Sequence, residues 1–270
     1  MQLADRVRTF CRTTHLRLNT DLGQHFLIDS AVLEAILDAA HLTKEDMVVE
    51  IGAGIGILTR ELLLKTPHVT TIEIDARLIP FLRAYIGFDD GTTRSPTIIE
   101  GNALSVPFPS VPYKIVANIP YHITSPLLRH AFLEGAEPPQ SLTLLIQREV
   151  AERICDAENA GLLTIVVGLF GTPRIVRLVP PSAFLPPPAV DSAVLHIDCF
   201  DAPRVNEEEL DRILSIAKHA FAQKRKMLRN TMAPLPGGME ALAAAKIDPS
   251  RRPQTLSIDE WIAVAKNWTR

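Results

Sequence analysis

The sequence predicts an α/β protein built on a doubly wound, parallel sheet, followed by a small all-helical C-terminal domain. Three observations lead to that class. Between residues 47 and 146, apolar runs of strand length alternate with stretches of helical period, the pattern of a sheet wrapped by helices. Four motifs each close such a run: the glycine-rich stretch 52–56, Glu73, Asn102 and Asn118-Ile119-Pro120-Tyr121. Open α/β sheets carry their binding residues at the carboxyl ends of strands, which is where all four fall. The charge is also uneven. Residues 1–200 hold 16 basic and 22 acidic side chains, a balance of −6, whereas residues 201–270 hold 12 and 9, a balance of +3. The basic quarter reads as a separate piece.

Taken in order, residues 1–22 show no clean period and read as a basic, partly helical lead-in. Leu22-Gly23-Gln24-His25-Phe26-Leu27 then reads as a compact loop. Asp29 or Ser30 can cap a helix whose apolar positions Val32, Leu33, Ile36, Leu37 and Ala40 recur at helical spacing. Residues 47–51 read as a buried strand running straight into the glycines, with a helix over 58–65 behind it. A second strand, 69–74, ends in Glu73-Ile74-Asp75, and a helix follows to about Tyr85. Residues 97–99 form a third strand, closed by Gly101-Asn102-Ala103. Lys114-Ile115-Val116-Ala117 is the strand that delivers Asn118, residues 142–146 form a fifth, and 193–197 a later one.

The domain break is expected near Asp201-Ala202-Pro203, giving domains 1–200 and 201–270. Beyond it, Asn206 with Glu209 resembles a capping box, and Leu210, Ile213, Leu214, Ala217 and Phe221 make an apolar stripe. Pro234 and Gly237-Gly238 interrupt the pattern, and Ser257 with Glu260 opens a last helix.

Composition narrows the function classes. The 270 residues, 47% hydrophobic, suffice for one large or two modest cores. Cys11, Cys155 and Cys199 lie far apart and form no CxxC pair, so neither a disulfide framework nor a zinc site is expected. Asp5, Arg6 and Arg8 interrupt the N-terminus where a secretory signal would be apolar. The uncharged run 160–173 is too short to span a bilayer. A soluble cytoplasmic protein with no metal and no membrane contact is expected.

Asn118-Ile119-Pro120-Tyr121 is poor core material but suits an enzyme that activates a base amino group. The exocyclic nitrogen of adenine is a weak nucleophile because its lone pair is delocalised into the ring. Two acceptors aimed at its hydrogens favour a more tetrahedral nitrogen, and the Asn118 side-chain oxygen and Ile119 carbonyl can supply them. Pro120 biases Ile119 toward an extended conformation and adds no competing donor. Tyr121 offers a ring on which a base can stack. The competing reading is a turn that merely caps a strand.

The glycine loop admits a dinucleotide, a nucleoside or nothing. A dinucleotide fingerprint needs a third glycine at its sixth position, where Ile57 stands here. Glu50 and the spacing of Gly52, Gly54 and Gly56 instead suit the amino-acid portion of S-adenosylmethionine. Glu73, 21 residues after Gly52, can accept both ribose hydroxyls, and Asn102 can reach the cofactor adenine. A surface acid, a turn residue and a tight connection are the bland alternatives.

At this point the sequence resembles the ribosomal RNA adenine N6-dimethyltransferase family, of the kasugamycin-resistance type that modifies small-subunit rRNA. The resemblance is carried by Gly23-Gln24-His25-Phe26-Leu27, Glu50-Ile51-Gly52-Ala53-Gly54, Glu73-Ile74-Asp75, Asn118-Ile119-Pro120-Tyr121 and Phe184-Leu185-Pro186-Pro187-Pro188-Ala189-Val190-Asp191-Ser192, in that order. It implies a Rossmann-like class I methyltransferase sheet that binds S-adenosylmethionine. It also implies that His25 and Leu27 cover the methionine and ribose side, Gly52 lies beneath, Glu73 takes the ribose and Asn102 the adenine. Asn118 would sit between cofactor and target, and Phe184 would face Tyr121 across the flipped adenine. A core phenylalanine is the alternative for Phe184. His25 stands where asparagine is usual and Asn102 where aspartate is usual, so weaker or retuned cofactor binding is expected.

Lys218, Lys224, Arg225, Lys226 and Arg229 lie in a run of 218–229 that holds no acid. With Phe221 and Leu228 among them, the run suits a helix packed on one side and touching RNA phosphate on the other. The implied reaction is in-line attack of adenine N6 on the sulfonium methyl, repeated to give dimethyladenosine. Two adjacent adenines near the 3′ end of 16S-type rRNA in the small ribosomal subunit would be the targets, and the enzyme is expected to be a monomer. The rivals are a large-subunit rRNA adenine methyltransferase, an assembly factor that has lost catalysis, and a nicotinamide enzyme.

Overall fold

The computed structural model describes residues 2–16, 24–87, 94–135, 137–223 and 225–268. Two compact units make up the chain: Met1–Ala151 with Arg174–Cys199, and Glu152–Pro173 with Phe200–Arg270.

The first unit opens with helix α1 (Leu3–Thr13), which buries Leu3, Val7 and Phe10, the last against Tyr85 in an edge-to-face pair at 5.1 Å. A two-residue strand β1 (Phe26–Leu27) follows, then α2 (Ser30–Ala40). Asp29 caps α2, its Oδ1 accepting from Ala31 N–H at 2.9 Å and Val32 N–H at 3.3 Å. Val32, Leu33, Ile36, Leu37 and Ala40 are buried, so the predicted stripe is the packed face. Strand β2 (Val48–Ile51), α3 (Ile57–Lys65), β3 (Val69–Glu73), α4 (Ile79–Ile86) and β4 (Thr97–Glu100) continue the alternation. Then come β5 (Lys114–Asn118), α5 (Thr124–Arg129), β6 (Ser141–Gln147) and α6 (Arg148–Cys155). After α7 (Leu162–Phe170), the strands β7 (Gly171–Val179), β8 (Phe184–Leu185) and β9 (Ser192–Cys199) complete the set.

Seven strands form one sheet in the order β4-β3-β2-β5-β6-β9-β7. The pairs β2–β3, β3–β4, β2–β5 and β5–β6 are parallel, while β9 runs antiparallel to β6. The chain builds outward from β2 to β4 and then crosses to β5, so the strand order reverses between β2 and β5. Such a reversal opens a crevice at the carboxyl ends of the flanking strands. A second, two-stranded sheet pairs β1 with β8, matching Phe26 to Leu185 and Leu27 to Phe184. Sequence periodicity does not reveal it, since two residues carry no period.

In the second unit, Asn206 and Glu209 do form a capping box at the start of α8 (Glu207–Phe221). Helices α9 (Leu228–Met232), α10 (Gly238–Ala244) and α11 (Ile258–Asn267) follow, the last capped by Ser257 and Glu260. Trp261, 1% exposed, packs on Phe221 with ring centroids 5.8 Å apart. The break at 200/201 differs from the division seen here, which crosses at Cys199/Phe200 and adds 152–173 to the C-terminal unit. The reason is the apolar helix α7. A Cβ on its Gly168 would lie 2.9 Å from Ile258, and Phe200 N–H and Arg204 N–H donate to Phe170 and Leu169 carbonyls. Among the described residues no helix is long and apolar enough to cross a membrane.

Candidate functional site

The crevice at the reversal point is a pocket lined by His25, Leu27, Gly52, Glu73, Asn102, Asn118 and Pro120, among others. On one side β2 carries Glu50, 1% exposed, into the glycine loop, where Gly52, Gly54 and Gly56 all have positive φ, at 71°, 59° and 91°. The loop is also crowded. A Cβ on Gly54 would lie 3.0 Å from the Phe26 ring, and one on Gly52 3.5 Å from Pro120 Cδ. At Gly54, glycine therefore lets the backbone approach the Phe26 ring closely.

Glu73 closes β3 with its carboxylate held by main chain. Gly54 N–H donates to Oε2 at 2.8 Å and Asp75 N–H to Oε1 at 2.9 Å. Each oxygen keeps acceptor capacity for a ligand hydroxyl. Burial pushes the Glu73 carboxyl above its ordinary range, opposed by those amides. Asp75 is pulled the other way by Arg77, whose guanidinium donates to it, and Gln24 Nε2 reaches Asp75 at 2.9 Å. Ile74, beside them, leaves 62% of its surface exposed at the pocket, an apolar face for a flat ring.

At the end of β5, Asn118 Nδ2 donates to the His25 carbonyl at 3.3 Å. Among the described residues its Oδ1 has no partner, and the Ile119 carbonyl accepts no main-chain hydrogen bond. Asn118 borders the pocket, while Ile119 is 2% exposed and is not among the residues lining it. Pro120 has φ −55° and ψ 131°, and the chain then turns into a short 3-10 helix, Tyr121–Ile123, stabilised by Thr124 Oγ1 donating to the Tyr121 carbonyl at 3.0 Å.

The proline-rich loop after β8 ties this side together. The Tyr121 hydroxyl meets Ser192 Oγ at 2.6 Å, and His25 Nδ1 donates to the Pro186 carbonyl at 2.8 Å. The His25 and Tyr121 rings face each other, 13° from parallel with centroids 6.4 Å apart.

Several predicted roles look different in the structure. Phe184 is 3% exposed and belongs to the apolar core cluster. Its pairing with Leu27 across β1 and β8 explains that burial. Asn102 Oδ1 accepts from Leu104 N–H at 3.0 Å, keeping one lone pair for a further donor, and its NH₂ is unengaged among the described residues. Asn102 still borders the pocket. The basic run is not one helix, because α8 ends at Phe221 and α9 begins at Leu228. Lys218 and Arg229 are exposed on those helices, and Arg225 and Lys226 are exposed between them. Lys224 lies outside the described residues, as do Leu22 and Gly23 of the first loop motif. Gln24, Ile74, Asp75 and Ser192 also take part, each a member of a motif that carries the resemblance and none with a role of its own assigned from sequence.

The groups fit a nucleoside cofactor with an amino-acid tail: a glycine cradle, an apolar face and a fixed carboxylate at a strand end. A cluster of three or more His, Cys, Asp or Glu side chains suited to a metal does not occur among the described residues.

A family model described as ribosomal RNA adenine dimethylase matches residues 15–270. Ribosomal RNA small subunit methyltransferase A of Alkaliphilus oremlandii is 36% identical over 266 residues, covering 93% of this chain and 92% of that protein. The protein of the same name from Dehalococcoides mccartyi is 38% identical over 253 residues, covering 91% and 87%. Among solved structures, a dimethyladenosine transferase from Plasmodium falciparum has a TM-score of 0.76 at 27% identity, covering 89% of this chain and 96% of that one. The 23S rRNA methyltransferase ErmE has a TM-score of 0.73 at 25% identity, covering 90% and 98%. Nearly the whole length is matched, by sequence and by fold, and the chain belongs to the ribosomal RNA adenine dimethylase family of methyltransferases.

Proposed function

We propose that the protein dimethylates N6 of two adjacent adenines near the 3′ end of 16S-type rRNA, using S-adenosylmethionine, as a cytoplasmic monomer acting on the small ribosomal subunit. The observation that carries this reading is Asn118 at the pocket beside the glycine cradle, its Oδ1 unengaged among the described residues. The names of the sequence relatives support the small-subunit target.

His25, Leu27, Gly52, Glu73, Asn102 and Asn118, all lining the pocket, would hold the cofactor, which when bound supplies an electrophilic methyl group. The remaining work belongs to the chain. Asn118 and Ile119 accept from the two N6 hydrogens and concentrate electron density on nitrogen. Tyr121 stacks on the base and fixes its plane. Orientation by these residues replaces the need for a strong general base, since the alkylated nitrogen is acidic once cationic. Lys218, Lys224, Arg225, Lys226 and Arg229 would contact rRNA phosphates.

The similarity to a 23S rRNA enzyme favours one second reading, a large-subunit target. Labelled methyl transfer offered both subunits, each lacking the modification, separates them. Label in the small subunit alone supports the proposal, and label in the large subunit alone overturns it. Stabilisation by S-adenosylhomocysteine but not by NAD is expected in the same preparation.

A further inference from the structure

We propose that His130, held by Glu134, is a positioning residue for the cofactor: it pins the turn that carries Asn102 and Ala103 to the pocket. The role presupposes the proposed use of S-adenosylmethionine and falls to a residue outside every motif quoted from the sequence. His130 is 9% exposed and opens a π-helical turn, His130–Glu134, that extends α5. Such turns are rare and occur often at functional sites. Both ring nitrogens are engaged, Nε2 lying 3.2 Å from the Val106 carbonyl oxygen and Nδ1 3.0 Å from Glu134 Oε2. Carbonyl and carboxylate oxygens only accept, so the ring makes both bonds at once when both nitrogens carry hydrogen. The Phe108 ring packs on the imidazole, with centroids 4.9 Å apart.

Val106 closes a tight turn that begins at Asn102. Ser105 N–H and Val106 N–H donate to the Asn102 carbonyl at 2.8 and 3.1 Å, and Leu104 N–H donates to Asn102 Oδ1 at 3.0 Å. A Cβ on Gly101 would lie 3.3 Å from Val106 Cγ2, so the two ends of the turn also pack together. Gly101, Asn102 and Ala103 line the pocket, whereas Val106 and His130 do not. The turn is therefore stiff within itself and fastened from its far end. The fastening comes from the base side. The chain that leaves β5 at Asn118 runs through the 3-10 turn and α5 to His130. One hydrogen bond thus sets the proposed adenine end of the cofactor site against the strand end that presents Asn118.

The test compares His130→Phe, which keeps a ring against Phe108 but has no donor, with His130→Gln, whose amide can still donate to Val106. His130→Phe should weaken S-adenosylhomocysteine binding roughly tenfold by calorimetry, the loss of one hydrogen bond whose acceptor is left unmet. Adenosine alone should lose the same factor, and His130→Gln should stay within about threefold of wild type for both ligands. Maximal turnover at saturating cofactor should fall by less than about threefold in either variant, so the change lies in KM. Wild-type affinity in His130→Phe overturns the assignment. So does equal weakening in a His130→Gln protein that melts at the wild-type temperature, since ring packing alone would then matter. A fall in turnover with cofactor affinity intact also overturns it. Should His130→Phe not fold, Glu134→Ala removes the other tie at a side chain that is 54% exposed. It should weaken both ligands about threefold, and unchanged affinity there overturns the assignment. If wild type itself binds neither ligand, the cofactor reading fails and takes this role with it. If binding behaves as expected but wild type methylates neither subunit, the substrate reading fails and the role of His130 stands.

Discussion

On the cofactor side of the pocket, Glu73 is fixed by two backbone amides, the farther one 19 residues away in sequence. On the base side, the ties are made by side chains and span 71, 93 and 161 residues: Tyr121 to Ser192, Asn118 to His25, and His25 to Pro186. Main chain held by glycine geometry makes a cradle that varies little with substitution nearby. Side chains fastened through a distant loop hold the other side, at Pro186 and Ser192. On the proposed function, the cofactor side is expected to govern binding and the base side turnover.

Asn118→Ala breaks that comparison most severely. It removes one acceptor for the base amino group while leaving the glycine cradle untouched. Single-turnover transfer should fall by about 10²–10³-fold, the range for losing one preorganised transition-state hydrogen bond. Cofactor affinity measured by calorimetry should change by less than about threefold.

Glu50→Gln acts beneath the cradle instead. Burial pushes the Glu50 carboxyl up to about 7, only partly offset by Thr59 Oγ1 donating to it at 2.5 Å. A carboxyl with a raised native pKa binds its proton more tightly when folded. Its contribution is full below the ordinary glutamate value of 4.5 and is lost as pH rises through about 7. Glu50→Gln should remove this loss, gaining on the order of 3 kcal/mol over wild type above neutrality and nothing at acid pH. Thermal melts across pH 4 to 8 read the difference.

How much of this was legible follows the same division. The glycine loop, Glu73 and Asn118-Ile119-Pro120-Tyr121 are contiguous motifs at strand ends, and each borders or adjoins the pocket as the pattern requires. Helix α2 and the caps of α8 and α11 were equally local and equally readable. What escaped was tertiary. The β1–β8 pair turns Phe184 inward, an orientation that no spacing in its own segment encodes. Helix α7 looked like part of the first domain because its partners Ile258, Phe200 and Arg204 come later in the chain. The Asx turn at Asn102 depends on a side-chain rotamer, so the sequence could offer an acceptor but not show it engaged.

Gly54→Ala is the converse of the Asn118 change. The residue sits at φ 59°, and the new Cβ would press the Phe26 ring at 3.0 Å. A strain of about 1–2 kcal/mol should appear mainly as roughly tenfold weaker cofactor binding, with transfer at saturating cofactor much less affected. Ser192→Ala makes the smallest change. Losing the Tyr121 hydroxyl's partner costs about 1 kcal/mol, so turnover should drop roughly fivefold with cofactor affinity unaltered. A loss of cofactor binding instead would erase the division between the two sides.

The most direct measurement is nucleoside analysis by mass spectrometry of small-subunit RNA after reaction with wild type and with Asn118→Ala. Wild type is expected to give N6,N6-dimethyladenosine at two adjacent positions, and the variant only traces despite full cofactor occupancy. Methylation on another base, or dimethyladenosine from Asn118→Ala at the wild-type rate, would contradict the proposed reaction.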